Sequence, residues 1–170
     1  GKTAREILLD MGILPDFEYY SDNKDSKLDY IHRRVKDSSG NIEIYFVSNL
    51  NKRWEKVECT FNVKGMVPEI WDADKGEISD AGIYDDNSKR TTLPLLLPPL
   101  GSVFVIFQKT GEQLHATSLW KDSELIFPSK NGDGKAVNYD IDILTDGGKR
   151  LILQTSEPGS YEIKANDGRI

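Results

Sequence analysis

The sequence predicts an all-β protein, an antiparallel β-sandwich with a short N-terminal helix and a β-rich C-terminal extension. Three observations carry that expectation. Between Leu28 and Gln108 some seven short apolar runs, each too short for a typical helix, are separated by polar, Gly or Pro turns. No strand-helix-strand alternation appears, which argues against a barrel or a doubly wound sheet. A chain of 170 residues can bury about 70% of its unfolded surface, so a core for one domain is available.

Thr3 to Met11 places Ala4, Ile7, Leu8 and Met11 at helical spacing, with Thr3 and Glu6 set as a capping box and Gly12 as the stop. Its apolar stripe has little local sequence to pack on, so the helix either docks on the sheet or belongs to a preceding domain. Leu14-Pro15-Asp16-Phe17 breaks it, and Ser21 to Lys27 reads as a polar linker. Residues 1–27 are therefore expected to be a helix and linker from a preceding domain, 28–109 the sandwich, and 110–170 a β-rich extension packed on it.

From Leu28 the period switches to two. Asp29 to Asn49 reads as a hairpin turning at Ser38-Ser39-Gly40-Asn41. Its inner face is expected to carry Ile31, Val35, Ile44 and Phe46, while Tyr30, His32 and Arg34 share the other face, so His32 and Arg33 point in opposite directions. Ile42 to Val47 is apolar on both faces, as a central strand would be. Trp54 to Val63 alternates, with Val57, Cys59, Phe61 and Val63 inward and Lys56, Glu58, Thr60 and Asn62 outward. Pro68 to Trp71, Glu77 to Tyr84 and Arg90 to Leu97 follow as strands, the last confined by Pro94, Pro98 and Pro99 to an edge or bulge. Val103 to Phe107 reads as a buried central strand. Beyond Gln108, Leu119-Trp120 and Leu125-Ile126-Phe127 are apolar islands, and Val137 to Leu144, Arg150 to Gln154 and Ser160 to Lys164 return as strands. Asn166-Asp167-Gly168 is a further turn signal, reading as the lead into another strand.

Lys plus Arg total 22 against 28 for Asp plus Glu, a net charge of -6, which disfavours nucleic acid and anionic membrane as partners. No run approaches the 18 or so apolar residues of a membrane span, and the N-terminus lacks signal-peptide features, which says little about compartment because the chain starts at Gly1. The single cysteine, Cys59, falls on the apolar side of an alternating strand and reads as an inert buried thiol.

Few constellations point to chemistry. His32 beside Arg33 and Arg34 offers directed donors for an anion or a sugar hydroxyl, against the alternative of a polar strand face. Asp72, Asp74 and Glu77, and then Asp85 and Asp86, are acidic clusters that read as solvated turns more readily than as a glycosidase carboxylate pair. Ser129, Asn131, Asp133, Gly134 and Asp140 match part of a calcium-loop pattern with its first and last ligands replaced. His115 is too remote from other ligands for a zinc site. Trp54, Trp71 and Trp120, with the tyrosines, supply stacking surfaces or core. Phosphate loops, Gly-x-Ser-x-Gly elbows and His-Glu-x-x-His motifs are absent.

Tyr30-Ile31-His32-Arg33, Ile44 to Asn49, Phe61-Asn62-Val63, Pro68 to Asp72, Gly76, Leu93-Pro94-Leu95 and Gly101 to Phe107 together resemble the region after the catalytic barrel in large bacterial α-L-rhamnosidases of glycoside hydrolase family 106. Leu14-Pro15-Asp16-Phe17 is similar to the segment where that barrel hands over to a sandwich. The resemblance covers about Leu28 to Gln108. It implies an accessory, non-catalytic β-sandwich of a periplasmic or secreted enzyme acting on plant or pectic polysaccharide. No catalytic residue is carried over, and no cofactor is expected in this stretch; calcium remains a candidate for the parent enzyme. The expected partner is the catalytic barrel of the same chain, with carbohydrate as a second candidate. His32, Arg33 and Trp71 are the candidate substrate-binding residues. Two other readings stay open, an autonomous carbohydrate-binding module and a purely structural or interaction domain.

Overall fold

The computed structural model describes residues 1–36, 40–86, 89–110, 113–129, 141–145 and 150–170. In chain order its elements are α1 (Ala4–Asp10), β1 (Phe17–Tyr20), β2 (Leu28–Lys36), β3 (Asn41–Asn49), β4 (Glu55–Phe61), β5 (Met66–Asp72), β6 (Glu77–Asp80), β7 (Asp85–Asp86), β8 (Thr91–Leu97), β9 (Ser102–Thr110), β10 (Ala116–Lys121), β11 (Glu124–Phe127), β12 (Ile141–Thr145), β13 (Leu151–Thr155) and β14 (Tyr161–Ala165).

The expected all-β architecture is observed. Two antiparallel sheets form the main body, one ordered β1-β4-β8-β7 and the other β2-β3-β9-β5-β6. Alternation drives the packing: Val57, Cys59 and Phe61 from β4 meet Tyr45, Val47 and Val105 from β3 and β9 in one apolar cluster. As their apolar runs require, β3 and β9 are central strands. β7 pairs only with Thr91 and Thr92, so Pro94, lacking an N–H, sits in the part of β8 that is an edge. Beyond the sandwich, β11-β10-β14 and the β12-β13 hairpin enclose a second, smaller core around Ala116, Leu119, Phe127 and Ile143. Segment 82–84 ties it to the sandwich, with Ala116 N–H donating to Gly82 O at 2.9 Å and Tyr84 N–H to Ala116 O at 3.0 Å.

Three expectations need correction. The inner face of the β2-β3 hairpin is the opposite of the one expected: Tyr45 and Val47 are fully buried while Ile31 is 67% exposed. The cause is aromatic packing, since Phe17 of β1 sits 4.8 Å from Tyr30 and 5.2 Å from Phe61, ring centre to ring centre, recruiting the Tyr30 face into the core. Second, Phe17–Tyr20 is a strand, pairing Phe17 with Phe61 and Tyr20 with Glu58, although Pro15-Asp16 reads as a break. Third, Glu58 is buried, accepting from the Ser129 backbone N–H and hydroxyl at 2.9 Å each. The two apolar islands pair as the β10-β11 hairpin. The hairpin turn at 38–39, the loop pattern at 130–140 and the turn at 146–148 lie outside the described residues.

Candidate functional site

The N-terminal segment and the sandwich meet at a polar cluster built on β2 and β3. His32, inward on β2, stacks on Tyr45 with ring centres 4.0 Å apart and planes 7° from parallel. Its Nδ1 lies 3.0 Å from Asp16 Oδ2 and its Nε2 2.8 Å from Glu43 Oε2, so each ring nitrogen faces a carboxylate acceptor. Arg34 Nε donates to the other oxygen of Glu43. The buried Tyr45 hydroxyl donates to Asp16 Oδ1 at 3.1 Å, and burial together with the Asp16 charge pushes its pKa far up. Asn62 N–H donates to Asp16 O at 2.9 Å. Asp16 is thus held through both carboxylate oxygens and its carbonyl.

Glu18 extends the brace. Arg90 pairs with one of its oxygens and Arg5 of α1 with the other, while Arg90 Nη2 donates to Pro15 O at 3.2 Å. These partners hold the Glu18 carboxyl below its usual range despite the opposing effect of burial. α1 has the expected capping box, with Thr3 N–H donating to Glu6 and Glu6 N–H to Thr3 Oγ1. Helix formation is therefore local, and packing does not hide its apolar side: no residue of α1 is buried, and Ile7, Leu8, Leu9, Met11 and Ile13 are all exposed, Met11 by 68%. Of the two expectations for this helix, docking on the sheet is not what is observed.

The three candidate binding residues are not brought together. His32 faces the core and would have to release a carboxylate partner to take a ligand. Arg33 and Trp71 lie on the outer face of the five-stranded sheet, three strands and roughly 14 Å apart at ordinary strand spacing. Trp71 belongs to a row crossing all five strands, Ile31, Phe46, Phe104, Trp71 and Ile78, each registered with the next. Its indole N–H donates to Glu69 Oε2 at 3.0 Å, which also accepts from Gln108 Nε2 at 2.8 Å. Sequence reading missed Asp16, Glu43, Glu69 and Gln108. Asp16 and Glu43 are the polar partners that an inward histidine needs, but with His32 expected on the outer face the sequence carried no signal for them.

The acidic clusters are structural in part. Asp72 closes the β5-β6 turn, accepting from the N–H groups of Asp74 and Lys75 at 3.1 Å each, and Lys75 holds its carboxyl below the usual range. Asp86 accepts from Gly65 N–H and the Thr91 hydroxyl. Burial pushes the Cys59 thiol up, as an inert position requires. Among the described residues no group of three or more His, Cys, Asp or Glu is placed to hold a metal ion.

Residues 1–85 match the profile of glycoside hydrolase family 106, described as alpha-L-rhamnosidase. A protein of Formosa agariphila named "Putative beta-glucuronidase" is 31% identical over 109 residues, 64% of this chain and 9% of that protein. Among solved structures, a rhamnosidase from Novosphingobium sp. PP1Y aligns with a TM-score of 0.56 and 27% identity, over 69% of this chain and 12% of that one. The chain thus spans about a tenth of the length of each relative.

Proposed function

The chain belongs to glycoside hydrolase family 106, the alpha-L-rhamnosidases, and from that premise we propose that it is an accessory β-sandwich that supports the catalytic barrel of a larger enzyme. One observation carries this reading. The segment after α1 is braced on the sandwich through Asp16, Glu18, Arg90, His32 and Tyr45, and α1 joins it through the Arg5–Glu18 ion pair, while Ile7, Leu8, Leu9, Met11 and Ile13 face solvent. A helix whose apolar side is left uncovered by the described residues reads as a docking element, since monomeric surfaces rarely leave such residues contiguous. Relatives roughly six to seven times this length supply the polypeptide for the other side of the contact. The whole enzyme, on this reading, acts outside the cytoplasm on plant or pectic polysaccharide.

The test has two arms. The 170-residue chain incubated with an aryl α-L-rhamnoside is expected to give no turnover; turnover abolished by Asp72→Asn or Glu69→Gln overturns the accessory role. In the whole parent enzyme, Leu8→Glu with Met11→Glu is expected to separate the single melting transition into two and expose the region around Pro15 to protease. Unchanged melting and protection would show that α1 is not the contact.

A further inference from the structure

A cleft of about 500 Å³ opens between the two sheets of the sandwich, where the β5-β6 hairpin faces β8. Its size falls within the range of small-molecule sites. One wall is polar, with Asp72, Asp74, Lys75, Glu77 and Ser79; the facing wall is apolar, with Pro94, Leu96 and Pro98. Ile70, Leu95 and Val103 line it from the sandwich core, and Gly82, Ile143 and Leu144 close one end. Trp54, 58% exposed, stands on its rim just before β4. Asp72 and Lys75 are already committed to each other across 2.9 Å and to the turn backbone, which fixes the hairpin that presents Asp74 and Glu77.

We propose that this cleft is a binding site for a neutral oligosaccharide, with Trp54 as the stacking surface and Asp74 and Glu77 as acceptors for its hydroxyl groups. The reading goes beyond the docking role of α1 and does not depend on it. A pyranose has an apolar C–H face and a perimeter of hydroxyl donors, and the cleft offers an indole and proline surface opposite a row of acceptors. The wall is rich in acceptors and poor in donors, Lys75 being its one cation and already paired with Asp72. Those carboxylates disfavour uronic acids and phosphorylated ligands through like-charge repulsion. They would also attract a basic peptide, and for that reason such a peptide enters the experiment. A basic side chain also meets the indole through a cation–π contact, but a pyranose presents a flat C–H face to Trp54 together with hydroxyl donors to Asp74 and Glu77, and so uses both walls at once.

The chain is titrated with neutral oligosaccharides, namely cellohexaose, mannohexaose and a rhamnose oligomer, followed by calorimetry and tryptophan fluorescence. Saturable binding of at least one is expected, weakened about tenfold by Trp54→Ala, the scale of one lost aromatic stack. Glu77→Ala is expected to weaken binding more than Glu77→Gln, which keeps an acceptor oxygen. Trp120→Phe, on β10 and away from the cleft, is expected to leave affinity unchanged. An oligogalacturonate of the same length is expected to bind about tenfold more weakly than the best neutral sugar. Absence of binding by all three neutral sugars at millimolar concentration overturns the proposal, as does unaltered affinity in a folded Trp54→Ala protein. Hexalysine binding more tightly than every sugar, with the same Trp54 dependence, reassigns the cleft to peptide and equally overturns it.

Discussion

Replacing Gly82 by alanine tests the seam that joins the sandwich to the smaller C-terminal sheets. Gly82 is buried, and a Cβ there would stand 1.7 Å from the carbonyl oxygen of Ile143 and 2.5 Å from its carbonyl carbon. Both are backbone atoms of β12, so no side chain can rotate away. Two relaxations are open. In the first, β12 retreats by roughly 1.5–2 Å to reach ordinary contact. Ile143, now 4% exposed, then loses its place in the smaller core, at a cost of about 1.5–3 kcal/mol. In the second, segment 81–83 shifts instead and breaks the bonds linking Gly82 O and Tyr84 N–H to Ala116, about 1 kcal/mol each. Both routes arrive near 2–3 kcal/mol, a fall in Tm of roughly 5–10 °C for a chain of this size. Urea unfolding measures the loss, and amide exchange locates it: Ile143 and Leu153 should exchange faster while Val57 and Val105 in the sandwich stay protected. A Gly82→Ala protein with wild-type midpoint and wild-type exchange at Ile143 would refute the close approach and the seam with it.

Tyr45→Phe removes the hydroxyl that holds Asp16 while keeping the ring that stacks on His32, and should cost about 1.5–3 kcal/mol, the range for a hydrogen bond to a charged group, in urea unfolding. His32→Ala should loosen the same junction, read as faster proteolysis near Pro15 with the core strands β4 and β9 unchanged in amide exchange. Leu100 adopts φ 56° on an exposed turn, so Leu100→Gly should stabilise the protein by up to about 1 kcal/mol in thermal unfolding. His115, stacked on Tyr84 with Nδ1 facing Gln113 O at 2.8 Å, has its pKa lowered by burial, offset in part by Gln113, Asp86 and Asp85. The unfolded chain therefore takes up this proton first, so the stability it protects is present above about pH 6.5 and is lost as pH falls below that value. Glu58 and Asp85, raised by burial, act with the opposite sign in the carboxylate range, so the measurement is the difference between wild type and His115→Phe, which should flatten the slope just below neutrality.

Period-two alternation makes β4 and β9 legible because one choice of face is apolar or both are. The same pattern misleads at β2 and β3. Ile42 to Val47 is apolar on both faces, so the hydrophobic period cannot choose between them, and aliphatic Ile31 and Ile44 look more internal than Tyr30, His32 and Tyr45. What decides is information from β1, whose Phe17 packs on Tyr30 and Phe61, and from Asp16, which supplies the polar partner an inward histidine needs. β1 itself is only four residues long and follows a proline, too little for a pattern to register. The β10-β11 hairpin escapes for another reason: its turn uses Asp122 and Ser123 at φ 50° and 68°, a left-handed geometry usually signalled by Asn-Gly or Gly.

The candidate site depends on the same choice of faces. His32 and Arg33 are adjacent in sequence and polar, so they suggest one binding pair, but a regular strand sends them to opposite faces, and the structure turns His32, half-buried, toward Tyr45 and Asp16 and Arg33 to solvent. Trp54 and the Asp74-Glu77 turn, by contrast, lie some twenty residues apart and read separately as an aromatic and a solvated turn. Strand pairing within each sheet and the stacking of one sheet on the other bring them to a common cleft. Proximity in sequence joined two residues that the fold separates and kept apart residues that it brings to one cleft, because in a sandwich the neighbours that matter are set by register and by facing sheets, which alternation alone does not encode.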